Sequence, residues 1–105
     1  MATGRLAASD LSAATLTTVY TTPTDTYSVA SLSICNRGLA TATISIALAD
    51  TDTPLNGEYI EYQTDLLPKN ILERTGIVLA ADQRIVVLSS TTSVSAVVVG
   101  IETPA

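Results

Sequence analysis

The sequence predicts an all-β chain: a single antiparallel β-sandwich of about seven strands, immunoglobulin-like or jelly-roll in type, with an N-terminal arm. Three observations predict it. Apolar residues alternate with Ser and Thr through Tyr27–Leu48, the period of a half-buried strand. Turn-forming residues recur roughly every 8–12 positions, the spacing of short sandwich strands. The chain is 47% hydrophobic yet has no Phe, no Trp and four Tyr. Its core must therefore be built from Val, Ile, Leu and Ala, and the β-branched members of that set favour strands.

At 105 residues the chain forms one domain, burying about 60–70% of its extended surface. It divides into an arm (1–14), a sandwich (15–102) and a short tail (103–105). The arm, MATGRLAASDLSAA, is rich in small residues and shows no clear period. Leu6 and Leu11 are its large apolar groups after Met1, so from Met1 onward it is read as a segment that docks on a neighbour, with Arg5 beside it.

The first strand is expected over Thr15–Tyr20. Thr22-Pro23-Thr24-Asp25 ends it, because proline cannot extend a ladder and Asp caps its own turn. The second, Thr26–Cys35, has a mixed phase: Tyr27 and Val29 fall on one face, and Ala30, Leu32 and Ile34 on the other. Either both faces are partly covered or a bulge lies near Ala30. Asn36-Arg37-Gly38 supplies the two residues that best tolerate a positive φ, and a third strand follows over Thr41–Ala49. Asp50–Gly57 is a loop by its Pro54, its Asn56-Gly57 pair and its two Asp. Glu58–Thr64 is a strand that places Tyr59 and Tyr62 on opposite faces. Leu67–Asn70 turns the chain into Ile71–Leu79, where Gly76 marks a bulge or a point of close approach. After the Ala80–Gln83 turn, Ile85-Val86-Val87-Leu88 is an unbroken apolar run, expected of a strand covered on both faces. Val94–Ile101 ends the domain. Its Val97-Val98-Val99 segment is an aggregation hazard at a free edge, so a central or partner-covered place is expected.

The residue inventory argues against chemistry. With no His there is no Ser-His or Cys-His pair and no imidazole ligand. Cys35, the single cysteine, excludes an intrachain disulfide and reads as a small core hydrophobe. The five glycines are scattered and form no phosphate loop. Asp50, Asp52 and Glu58 share one loop, but their spacing is not that of an EF-hand and its glycine is missing; the loop reads as solvated turns. Glu58 with Glu61, or Glu61 with Asp65, is the only acid pair to consider for glycoside hydrolysis, and no Trp or Phe lines a sugar site. No enzyme activity, metal or cofactor is expected.

Partners follow from charge. The net charge is −5 and no basic patch exists to neutralise phosphates, which argues against nucleic acid and against anionic membranes. No apolar run reaches the roughly 18 residues of a membrane-spanning helix, and no secretory leader is expected. Only 14% of residues are charged, against about 25% in ordinary soluble domains. Much of the outside is therefore expected to lie against neighbours. Arg37 and Arg74 are candidates for pairing with carboxylates across such a contact, and Tyr59 or Tyr62 for facing a partner.

The order of the strand and turn patterns carries a resemblance. Tyr20-Thr21-Thr22-Pro23 is followed by a strand ending Ile34-Cys35-Asn36-Arg37-Gly38 and then by a Thr/Ile/Ala strand. Leu67-Pro68-Lys69-Asn70 leads into Leu72-Glu73-Arg74-Thr75-Gly76 and Ile77-Val78-Leu79. Ala81-Asp82-Gln83 then precedes Arg84-Ile85-Val86-Val87. Over about residues 15–102 this resembles small β-sandwich virion structural proteins of tailed bacteriophages. The resemblance implies a non-enzymatic particle component made in the host cytoplasm and located on the virion. Its partners would be the major capsid protein or other virion proteins, and it would form a homo-oligomer, with a trimer as one candidate. Lacking a long fibrous extension, the chain fits a capsid decoration or cement role, the alternative being a tail, collar or fibre module that binds a host glycan or protein.

Overall fold

A computed structural model describes residues 3–105; Met1 and Ala2, the start of the expected arm, lie outside the described residues. Eight strands are described: β1 (Thr3–Leu11), β2 (Thr15–Thr21), β3 (Thr26–Asn36), β4 (Ala42–Ala49), β5 (Tyr59–Leu66), β6 (Ile71–Leu79), β7 (Arg84–Ser89) and β8 (Val94–Pro104). A single 3-10 turn over Asn56–Glu58 interrupts the β4–β5 loop. The strands form two four-stranded antiparallel sheets, the first ordered β1-β8-β3-β6 and the second β2-β7-β4-β5.

Four of the six pairings are nested: β4 with β5, β3 with β6, β2 with β7 and β1 with β8. They are the pairings of one long hairpin bent at the β4–β5 loop and rolled up, with β3–β8 and β4–β7 closing the sheets. That is the jelly-roll arrangement, one of the two sandwich types expected.

The core lies between the sheets and is aliphatic, centred on Ile34, Ile44, Ile46, Ile85, Val87 and Val98. Burying such a side chain contributes about 1.5–3 kcal/mol. Strand β3 alternates without a slip: Ala30, Leu32 and Ile34 point inward, and Tyr27, Val29, Ser31, Ser33 and Cys35 outward. The bulge expected near Ala30 lies opposite it in β6, where the register shifts between the partners of Ala30 and Leu32. Gly76 sits there at φ +68, a conformation that other residues adopt only with strain. Gly100 answers a different need. A Cβ on it would lie 2.2 Å from the Val29 carbonyl oxygen and 2.7 Å from Ala30 Cα, so only glycine lets β8 lie against β3 here.

The unbroken apolar run of β7 lies between β2 and β4, with Ile85, Val86 and Val87 all buried. Val97-Val98-Val99 belongs to β8, a central strand whose ladder is satisfied on both sides by β1 and β3.

Three expectations are corrected. The segment read as an arm is, over Thr3–Leu11, the edge strand β1, paired with β8 along its length. Leu11 is 3% exposed and belongs to the core, and Leu6 packs against the core from a bulge between Arg5 and Ala7. Small residues suffice for such a strand, since it has only one neighbour and one buried face. Cys35 is not a core residue. Ile34 takes the inward position, so alternation turns Cys35 outward, where it is half-buried. Tyr59 and Tyr62 do not lie on opposite faces. A register shift between Tyr59, opposite Ala47, and Glu61, opposite Ile46, changes the strand's phase between the two rings; a second follows at Gln63, with φ +51 and its N–H donating to Ser45 Oγ at 3.0 Å.

These placements make two substitutions diagnostic. Leu11→Ala is expected to cost about 2–4 kcal/mol, the usual range for truncating a core leucine. Gly100→Ala is expected to cost about 1–3 kcal/mol through forced separation of β3 and β8. Both are read by urea unfolding, and a freely detachable arm would leave Leu11→Ala without effect.

Candidate interaction surface

The two sheets present unlike outer faces. On the second, Thr18, Val86, Ala47 and Tyr59 form one row across the strands. Val86, Ala47 and Ala49 are buried although they lie outside the inter-sheet core. The β4–β5 loop explains this. Asp52 accepts hydrogen bonds from Thr18 Oγ1 at 2.6 Å and from Arg84 Nη1 at 2.8 Å, which ties the loop across to β2 and β7. The Thr18 hydroxyl first, and then the Arg84 guanidinium, hold the Asp52 carboxyl below its ordinary range. The loop's other acids have their own donors, Gln83 for Asp50 and the Leu55 N–H for Glu58. No group of three or more potential metal ligands occurs among the described residues.

On the first sheet nothing of the described chain is laid across the outer face. One row runs Thr3, Ile101, Val29, Val78 and the next Arg5, Val99, Ser31. Val78 is 65% exposed, Ile101 53%, Val29 44% and Val99 43%, with Tyr27 beside them at 41%. Towards the other end lie small and mildly polar groups: Ala8, Val97 and Ser33, then Ser95 and Cys35, with exposed Ile71 on β6. The charges aimed from this face are Arg5, Asp10 and Glu73. Asp10 is already held by Arg37 of the same chain at 2.5 Å. The outcome is a flat, weakly charged, β-branched surface, of the kind that soluble monomers keep small.

The residues expected to meet a partner are thereby scattered. Arg5 lies on the open face. Leu6 and Leu11 turn into the protein. Arg37 pairs with Asp10, and Arg74 with Glu61 at 3.7 Å across the β5 and β6 edges, both within the chain. Exposed pairs of this kind add little stability. Tyr59 and Tyr62 meet edge to face with ring centroids 5.2 Å apart, beside a shallow depression of about 460 Å³ that Asn56 also lines. The residues of the open face were missed because Val29, Val78, Val99 and Ile101 are ordinary strand residues; only their register identifies them as neighbours.

Polar pins hold both ends of the sandwich. At one, the fully buried Asn36 donates from Nδ2 to the carbonyls of Ala40 (2.9 Å) and Leu66 (3.0 Å) and accepts from Gly38 N–H (3.0 Å). At the other, Tyr20 donates to Glu102 Oε2 at 2.5 Å, and the buried Thr22 and Ser28 hydroxyls are 3.1 Å apart. Burial, followed by the Glu102 carboxylate, pushes the Tyr20 phenol up to about 12.

Comparison with models of known families, with curated proteins and with solved structures returned no match.

Tyr20 keeps its proton in the folded state at pH values where the unfolded chain has lost it. Its contribution is therefore present below about pH 10 and is lost as pH rises from 10 towards 12. Tyr20→Phe is expected to flatten this alkaline fall in stability and to remove the late part of the tyrosinate absorbance titration. An unchanged titration would show that Tyr20 is not the perturbed group.

Proposed function

We propose that this chain is a non-enzymatic bacteriophage virion structural protein of the capsid decoration or cement kind, acting on the head shell by contact alone. The observation that supports this reading best is the open face of the first sheet. A domain of this size that leaves Val29, Val78, Val99 and Ile101 exposed as neighbours on a rigid sheet is built to be covered in an assembly. The turns that carry the resemblance to phage virion proteins also support it, because they interlock. Asn36 N–H donates to the Asn70 carbonyl at 3.0 Å and Lys69 N–H to the Asn36 carbonyl at 2.8 Å, joining the Asn-Arg-Gly and Leu-Pro-Lys-Asn turns. Attachment through a detachable N-terminal arm has no place in the reading, since β1 belongs to the sheet.

A second reading, a tail or fibre module contacting host glycans, is favoured by the Tyr59–Tyr62 pair, whose apolar faces and hydroxyls beside Asn56 offer a small amphipathic site. Tyr62→Ala would abolish glycan binding under that reading and leave a decoration protein unaffected.

Copy number separates the two. Quantitative mass spectrometry of purified particles is expected to find this chain at a stoichiometry comparable to the major capsid protein. A far lower number would move it to the tail, and absence from particles would end the virion reading.

A further inference from the structure

We propose that the outer face of the β1-β8-β3-β6 sheet is closed by the same face of a second copy of this chain, in an isologous sheet-on-sheet dimer. The proposal rests on the assembly reading only for the claim that this face is covered. What it adds is the identity of the cover.

Size is the first argument. Four strands about 4.8 Å apart, crossed by four rows of outward residues about 6.8 Å apart, span about 500 Å². Two such faces together bury about 1,000 Å², the lower bound for a specific interface. The second sheet could not serve in this way, because its β4–β5 loop, pinned by Asp52, already lies across it.

Charge complementarity is the second. Among the described residues, Arg5 and Glu73 are the outward charges of this face without an ion pair inside the chain. They stand on opposite edge strands, β1 and β6. Arg5 is in the row of Val99 and Ser31, and Glu73 is in the adjacent row of Val97 and Ser33. A two-fold axis running along the strands between β8 and β3 lays β1 of one copy over β6 of the other. Arg5 then meets the second copy's Glu73 one row away, about 7 Å, a distance its side chain spans. The pair forms twice by symmetry.

The same axis lays β8 over β3. Val99 and Ile101 of each copy then meet Val29, Ser31 and Tyr27 of the other, so these apolar groups are buried at the centre, while Val78 on the edge strand meets the other copy's Thr3 and the two ion pairs lie at the rims. This is the apolar-centre, polar-rim anatomy of protein interfaces. The small residues of the middle rows let two twisted sheets approach at the shallow angle of aligned packing. Any other surface would have to supply a matching acid and base at the same separation; a second copy does so automatically.

The test uses the purified full chain in light scattering and sedimentation. A dimer is expected at micromolar concentration. Val29→Lys and Ile101→Lys, outward positions at the centre of the contact whose replacement leaves the core intact, are expected to give monomers with an unchanged circular dichroism spectrum. Arg5→Glu and Glu73→Arg are each expected to weaken the dimer by about tenfold, and the double exchange to restore it. A monomer at all concentrations overturns the proposal, as does a dimer indifferent to Val29→Lys, a pair of charge reversals that fail to rescue one another, or a trimer, since an isologous face closes on two copies. Dimers absent from purified particles would sink the virion reading and leave this one standing; monomers abundant in particles would do the reverse.

Discussion

The constraint on which the structure depends is the burial of Asn36. It is fully enclosed and polar, at the point where β3 leaves the first sheet to become β4 of the second. An unpaired amide in such a place would cost a few kcal/mol, so its surroundings are arranged to satisfy it. The carbonyls of Ala40 and Leu66 and the N–H of Gly38 converge on one side chain, while its own backbone groups bond Lys69 and Asn70. Two loops far apart in sequence are thereby locked together, and the spacing of the sheets at that end follows. Tyr20, Thr22, Ser28 and Glu102 play the matching part at the opposite end. Between these ends the core is purely aliphatic and non-directional, so the polar ends confer the specificity that Val and Ile alone do not.

From this frame follows the difference between the two outer faces. Both sheets carry apolar residues outward, as a chain with so few charges must. One sheet covers its own with the β4–β5 loop, held by a hydroxyl and a guanidinium on a single carboxylate. No such loop crosses the other among the described residues, and in the single chain its Val and Ile residues are left open. A protein of this composition balances solubility against association, and the balance is drawn on one face rather than spread over the surface.

Much of this was legible in the chain. Strands β2 to β8 were readable because Thr/Val/Ile alternation and Pro, Asn, Asp and Gly punctuation agree with one another, and Gly76 marked its position as a bulge or a close approach, of which β6 has the bulge. Three things were hidden for physical reasons. An edge strand buries only one face against one neighbour, so β1 could be made largely of small residues with Leu6 and Leu11 as its large apolar groups directed inward, and such a composition has no period. A register shift at Ile60, between Tyr59 and Glu61 and without a glycine, moved Tyr62 to the face of Tyr59 without any local signal. The open face depends on register between strands as distant as β3 and β8, and periodicity within one strand says nothing of that.

The nesting of the pairings has a consequence for how the molecule is made. Strand β8 lies in the middle of the first sheet, between β1 and β3, yet comes last of the eight in chain order. While the chain leaves the ribosome, β1 has no neighbour and β3 has one. Both present open ladders and half-covered valines until β8 slides between them. Folding dominated by such distant pairings is slow, and unpaired edges are sticky while they last. The nascent chain is therefore open to association for as long as it waits for its central strand.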